Sequence, residues 1–184
     1  LARLSDVARP FRVLFVCTAN ICRSPYAELY ATQRTELLEL PLDADSTGVH
    51  GFDQEPMDPP MRRRLEAIGG VDPGFKSKTL DRQQVDWADL ILCMETAHRN
   101  SVLEEYPHVV SKLFTFGQFN KRLPYVAGEG TALVNAIATT RGPANPDDDV
   151  ADPYRRGNRA AKACADQLND LLEELIPRIA VEVD

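Results

Sequence analysis

A chain of 184 residues is long enough for one domain with a sizeable core, whereas two domains would each be small. Hydrophobic residues make up 43% and charged residues 27%, the balance of an ordinary globular protein and not of a disordered or fibrous one. A net charge of −7 excludes nucleic acid as the default partner, because phosphate backbones demand a basic footprint, yet it allows one small anion in a locally positive pocket.

The first element in chain order is RVLFVC (residues 12–17), a continuous apolar run between polar residues, as expected of a strand buried on both faces. SPYAELYATQRTELLEL follows as a helix, then LDADSTG (42–48) as a marginal strand that is too polar for pattern alone to assign. PPMRRRLEAIGG reads as a helix stopped by glycine. ADLILCM (88–94) is a second buried strand, ETAHRNSVLEEY a helix, and KLFTF (112–116) a weaker strand. Strands alternating with helices of this length predict βαβ units and a mostly parallel sheet.

Residues 117–151 mix glycine and proline around one short helical candidate, GTALVNAIATT, and read as a long inserted loop within a single domain over 1–184. In the last stretch Ala161, Cys164, Leu168, Leu171, Leu172, Leu175 and Ile179 recur at helical spacing, forming one apolar stripe. Pro177 lies inside that pattern and predicts a break or kink near Ile176. No apolar run approaches the roughly 18 residues of a membrane span and no signal-peptide pattern opens the chain, although with Leu1 first an upstream segment stays open. The cysteines, at 17, 22, 93 and 164, are too scattered for a disulfide scaffold, which favours a cytoplasmic location.

Between the first strand and the first helix lies CTANICRS, residues 17–24. A turn from a parallel strand to a helix start exposes unpaired N–H groups at the positive end of the helix dipole, a geometry that holds phosphate-sized anions. Ser24 before Pro25 suits an N-cap and first helical position. Arg23 then aims a planar fork at two oxygens of the anion, with Cys17 beneath it. Such surroundings favour the thiolate that attacks phosphorus without a separate base. Zinc is the weaker alternative, since it needs two further ligands and His50 and His98 have no ligand-like spacing to Cys17 and Cys22.

Cys17-x5-Arg23-Ser24 with Asn20 inside the loop resembles the low-molecular-weight protein tyrosine phosphatases, whose pattern is C-x-G-N-x-C-R-S. STGVHGFDQEPMDPP, WADLILCMETAHRNSVLEEYP and ADPY (151–154) extend the likeness over most of the chain; the opening ten residues, an N-terminal extension, and residues 117–151 lack a counterpart. The resemblance implies a three-layer αβα sandwich around a four-stranded parallel sheet, flavodoxin-like in architecture. It also implies hydrolysis of phosphotyrosine-containing proteins through a phosphocysteine, releasing inorganic phosphate, with no cofactor or metal; the oligomeric state is left open. Thr18, Ala19, Asn20, Ile21 and Cys22, with Cys17, Arg23 and Ser24, then form the phosphate-binding loop. Cys17 matches the nucleophile, Arg23 the phosphoryl-binding arginine, and Asp152 the general acid. Ser24 matches a hydroxyl serving the thiolate, and Asn20 a loop-shaping residue with Ser46 as partner. Cys22 matches a second loop thiol that in relatives pairs reversibly with the nucleophile, and Phe52 and Tyr154 match aromatic pocket walls.

Ala19 stands where the family has glycine, which implies strain if φ there is positive. FKSK (75–78) stands where relatives often carry a loop-supporting histidine, and Arg155 follows Tyr154 where many carry a second aromatic. Asp147, Asp148 and Asp149 read as a solvated acidic run, apart from Asp152 with its adjacent proline. Two rival functions remain at this level. One is a thiol-dependent arsenate reductase of the same fold, with Cys93 as one relay thiol. The other is a catalytically silent phosphate-binding module.

Overall fold

β1 (Arg9–Cys17) shows why its sequence is apolar at every position after Arg12: both of its faces are covered. Phe11, Val13, Phe15 and Cys17 face one buried cluster, while Leu14 and Val16 face another. The computed structural model describes residues 8–184; the part of the expected N-terminal extension in residues 1–7 lies outside the described residues.

Four parallel strands stand in the order β2-β1-β3-β4, with β2 at Leu42–Gly48, β3 at Leu90–Cys93 and β4 at Leu113–Thr115. The marginal LDADSTG segment is thus a strand, paired in register with β1 from Phe11↔Leu42 to Cys17↔Gly48. A short β5 (Glu182–Val183) adds an antiparallel pairing to the start of β1, beyond the expected four strands. The helices α1 (Arg23–Leu38), α2 (Pro59–Ala67), α5 (Phe116–Asn120), α6 (Gly130–Thr140) and α7 (Gly157–Ile179) contribute to the larger cluster. Residues of α3 (Arg82–Trp87) and α4 (Thr96–Glu105) lie in the cluster on the other face. Among the described residues, no helix is long and apolar enough to cross a membrane.

Two local expectations change. α7 runs through Pro177 to Ile179 instead of breaking near Ile176. Proline here removes a bond only in the last turn, and buried Ile176 and Ile179 anchor that turn. Arg178 also grips the carbonyls of Leu123, Val126 and Gly128 at 3.0, 2.6 and 2.9 Å. Residues 117–151 are not one loop. They complete α5, supply all of α6, and bury Leu123, Leu133, Val134, Ile137 and Val150 in the larger cluster. This stretch brings the chain back to the site through Val150, whose N–H bonds the Met94 carbonyl at 2.8 Å.

Candidate active site

Residues 18–22 cross from the C-terminal edge of the sheet to the positive end of α1. Among the described residues, no backbone acceptor takes the N–H groups of Thr18, Ala19, Asn20, Ile21 or Cys22. These donors form a cradle for an anion. Asn20 makes the sharp turn, with a φ of 56° in the left-handed region, and its side chain holds that conformation. Nδ2 donates to Ser46 Oγ at 2.8 Å and to Ser24 Oγ at 3.0 Å, while Oδ1 accepts the Lys78 N–H at 2.9 Å. The left-handed residue is therefore Asn20 and not Ala19, so the alanine adds no backbone strain. The Lys78 backbone supports the loop from the FKSK segment, without a histidine.

Ser24 does not cap α1. The N-cap is Cys22, which makes no side-chain capping bond, and the helix opens at Arg23. The tight Asn20 turn brings Ser24 inside the first helical turn, so its hydroxyl faces the loop, 3.0 Å from Cys17 Sγ and 3.2 Å from the Thr47 carbonyl. Cys17 is only 2% exposed and Arg23 only 1%. Arg23 Nη1 pairs with Glu95 and donates to the Val150 carbonyl at 2.8 Å. Among the described residues, Nη2 makes only long contacts, 3.4 Å each to Thr18 Oγ1 and Asp152 Oδ2, and buried Nε has no partner. Burial alone would lower the guanidinium's pKa, but Cys17, Glu95 and Asp152 outweigh it and hold it above its ordinary value. The free edge of this fork is available to a planar pair of anion oxygens.

Asp152 Oδ1 accepts the Tyr154 N–H at 3.2 Å, which fixes the carboxylate in a turn beside Arg23. Phe52 and Tyr154, exposed to 60% and 41%, join Ile21, Cys22 and Asp152 around a cavity of about 160 Å³ with Cys17 and Arg23 at its base. Cys22 lines it too, but burial, then Asp58, push its thiol pKa up, and all the cysteines are free. The acidic run is not uniformly solvated. Asp149 Oδ1 accepts from the N–H and hydroxyl of Thr96 at 2.8 and 2.9 Å, and Asp148 pairs with Lys121, whereas Asp147 is exposed. Asp149 thus ties the Asp152 loop to the start of α4. Among the described residues, no cluster of His, Cys, Asp or Glu is arranged to hold a metal ion.

Gly48 sits against the loop from β2. A Cβ there would lie 2.8 Å from the Thr18 carbonyl oxygen and 2.9 Å from Asn20 N, both backbone atoms that cannot rotate away. Gly48→Ala should therefore displace the cradle and cut turnover by roughly 100-fold, the scale of loss from a ~1 Å misplacement. Steady-state kinetics beside a melting curve would check it. The expected signature is a loss of turnover far beyond any loss of folded protein.

Glu28 adds a second support. Ser46 Oγ accepts from Asn20 and donates its own hydrogen bond to the half-buried Glu28 carboxyl. Burial pushes the Glu28 pKa up to about 7 from 4.5, so the ionised form is the costly one in the fold. Below pH about 4.5 this cost is absent; it grows as pH rises through about 7 and is complete above it. Allowing for partial exposure, the cost is about 2 kcal/mol. Glu28→Gln should accordingly raise the melting temperature at pH 8 by roughly 4–8 °C and leave it little changed at pH 4.5.

Sequence reasoning weighed His98 only as a zinc ligand and did not single out Glu28 or Glu95. Glu95 and His98 follow directly on the C-terminal end of β3, where sites in open parallel sheets collect, and that position was the signal available.

A family model described as low molecular weight phosphotyrosine protein phosphatase matches residues 12–129. The chain is 28% identical over 174 residues to a protein-arginine-phosphatase of Geobacillus stearothermophilus, covering 94% of this chain and 99% of that one. It is 35% identical over 114 residues to the low molecular weight protein-tyrosine-phosphatase Etp of Escherichia coli, covering 61% and 74%. The crystal structure of a low molecular weight protein tyrosine phosphatase from T. tengcongensis superposes with a TM-score of 0.73 at 29% identity, covering 91% of this chain and 98% of that one.

Proposed function

The chain belongs to the low molecular weight phosphotyrosine protein phosphatase family, and from that premise we propose that it hydrolyses phosphotyrosine in proteins through a phosphocysteine. The observation that carries the reading is the set of unpaired donors above Cys17, namely the loop N–H groups and the free edge of Arg23. They match the equatorial oxygens of a phosphoryl group in transit. Cys17 Sγ attacks phosphorus in line with the ester oxygen, and the Ser24 hydroxyl at 3.0 Å stabilises the sulfur as anion and as leaving group. Asp152 protonates the departing phenol oxygen. It then takes a proton from the water that cleaves the S–P bond, releasing phosphate and restoring the thiolate.

Apolar Ile21, Phe52 and Tyr154 around the cavity favour a flat aromatic leaving group over a charged guanidinium, although two relatives are named arginine phosphatases. The reductase reading loses its relay. Cys93 pairs in register with Val16, so its side chain lies on the opposite face of the sheet from Cys17, with fully buried neighbours. Turnover of a phosphotyrosine peptide against a phosphoarginine peptide tests the proposal. A higher kcat/KM for phosphotyrosine is expected; preference for phosphoarginine, or no turnover of either, contradicts it.

A further inference from the structure

His98 is buried on α4, outside the loop, and its two ring nitrogens have different partners. Nδ1 faces the Glu95 backbone N–H at 3.1 Å, and since that group can only donate, Nδ1 carries no proton. The ring proton is therefore on Nε2, which lies 2.8 Å from Thr18 Oγ1 and donates to it. Burial, then Arg23, drive the imidazole pKa down to about 4, which keeps the ring in this neutral, single-donor form at neutral pH.

Thr18 Oγ1 also receives a long contact from Arg23 Nη2 at 3.4 Å, and an arginine can only donate. Both neighbours thus point protons at the same oxygen. The hydroxyl's own proton meets no acceptor among the described residues, and Thr18 lines the cavity above Cys17. We propose that the Thr18 hydroxyl is a further donor to the bound phosphoryl group, with His98 as the positioning residue that turns it there. The proposal rests on the phosphatase reading and deepens it. It gives this loop a side-chain donor in addition to its amides and Arg23, fixed by a residue 80 positions away in sequence.

Competitive inhibition by inorganic phosphate and by vanadate, read beside kcat/KM for an aryl phosphate, tests it. Thr18→Val keeps the shape and removes the donor; it should weaken both inhibitors and lower kcat/KM about tenfold, the scale of one hydrogen bond to a charged oxygen. Thr18→Ser should stay within about twofold of the parent on the same scale. His98→Gln, whose amide can still donate to Thr18, should fall between them, with the melting temperature reporting any general loosening. If Thr18→Val folds poorly, Thr18→Ala makes the same comparison with Thr18→Ser. The inference is overturned if the Val or Ala variant binds phosphate like the parent, or if Thr18→Ser is as impaired as they are. A parent that neither binds phosphate nor turns over the ester overturns the phosphatase reading along with it.

Discussion

Cys17→Ser should retain phosphate binding and lose turnover entirely, because the loop donors that bind the anion are independent of the sulfur. The serine oxygen inherits the Ser24 contact but not the thiol's readiness to ionise, so attack on phosphorus stops. Arg23→Lys should lose roughly 100- to 1000-fold in kcat, the scale of a lost preorganised donor. A lysine can keep one contact of the present Nη1 set, to Glu95 or to the Val150 carbonyl, but a point charge cannot offer the Nε and Nη2 edge that faces the anion. Isothermal titration with phosphate, beside steady-state kinetics, separates the effects. Turnover by Cys17→Ser would contradict the mechanism, and so would a fully active Arg23→Lys.

Asp152→Ala carries the second large effect, and it should depend on the substrate. A poor leaving group such as the phenol of phosphotyrosine needs a proton as the P–O bond breaks, whereas nitrophenolate departs with little help. The variant should therefore lose about 100- to 10,000-fold on phosphotyrosine and far less on a nitrophenyl phosphate. Asp147→Ala should be silent, since that residue is exposed. Asp149→Ala should show a weaker form of the same leaving-group-dependent loss, because it frees the Asp152 loop from Thr96. A leaving-group effect larger in Asp149→Ala than in Asp152→Ala would move the acid's role to Asp149.

The parts of this site legible in the sequence are those encoded locally. Strand, loop and helix follow one another within residues 12–40, and the apolar run and the Ser-Pro pair mark their junctions to within about two residues without reference to the rest of the chain. Most of the parallel sheet is legible for the same reason, as β1, β3 and β4 are short apolar blocks between helical patterns, whereas polar β2 is fixed only by its pairing with β1. What stayed hidden depends on partners distant in sequence. Nothing near Glu95 or His98 indicates that they meet Arg23 and Thr18, contacts that exist only once β3 lies beside β1. Asp149 looks like its acidic neighbours until α4 presents Thr96 to it. α3 and α5 are too short for a helical period, and their signal is a capping box at Asp81/Gln84 and at Thr115/Gln118. Pro177 misled because propensity weighs the missing N–H and not the Arg178 grip that holds the helix end.

A phosphoryl group carried on Cys17 sulfur can be weighed directly. Asp152→Ala should hydrolyse its intermediate slowly, so the variant mixed with nitrophenyl phosphate and quenched in acid should carry a phosphoryl group when its peptides are weighed by mass spectrometry. That group is expected on Cys17 alone. Turnover without a phosphorylated Cys17 peptide, or a phosphoryl group on another residue, would contradict it.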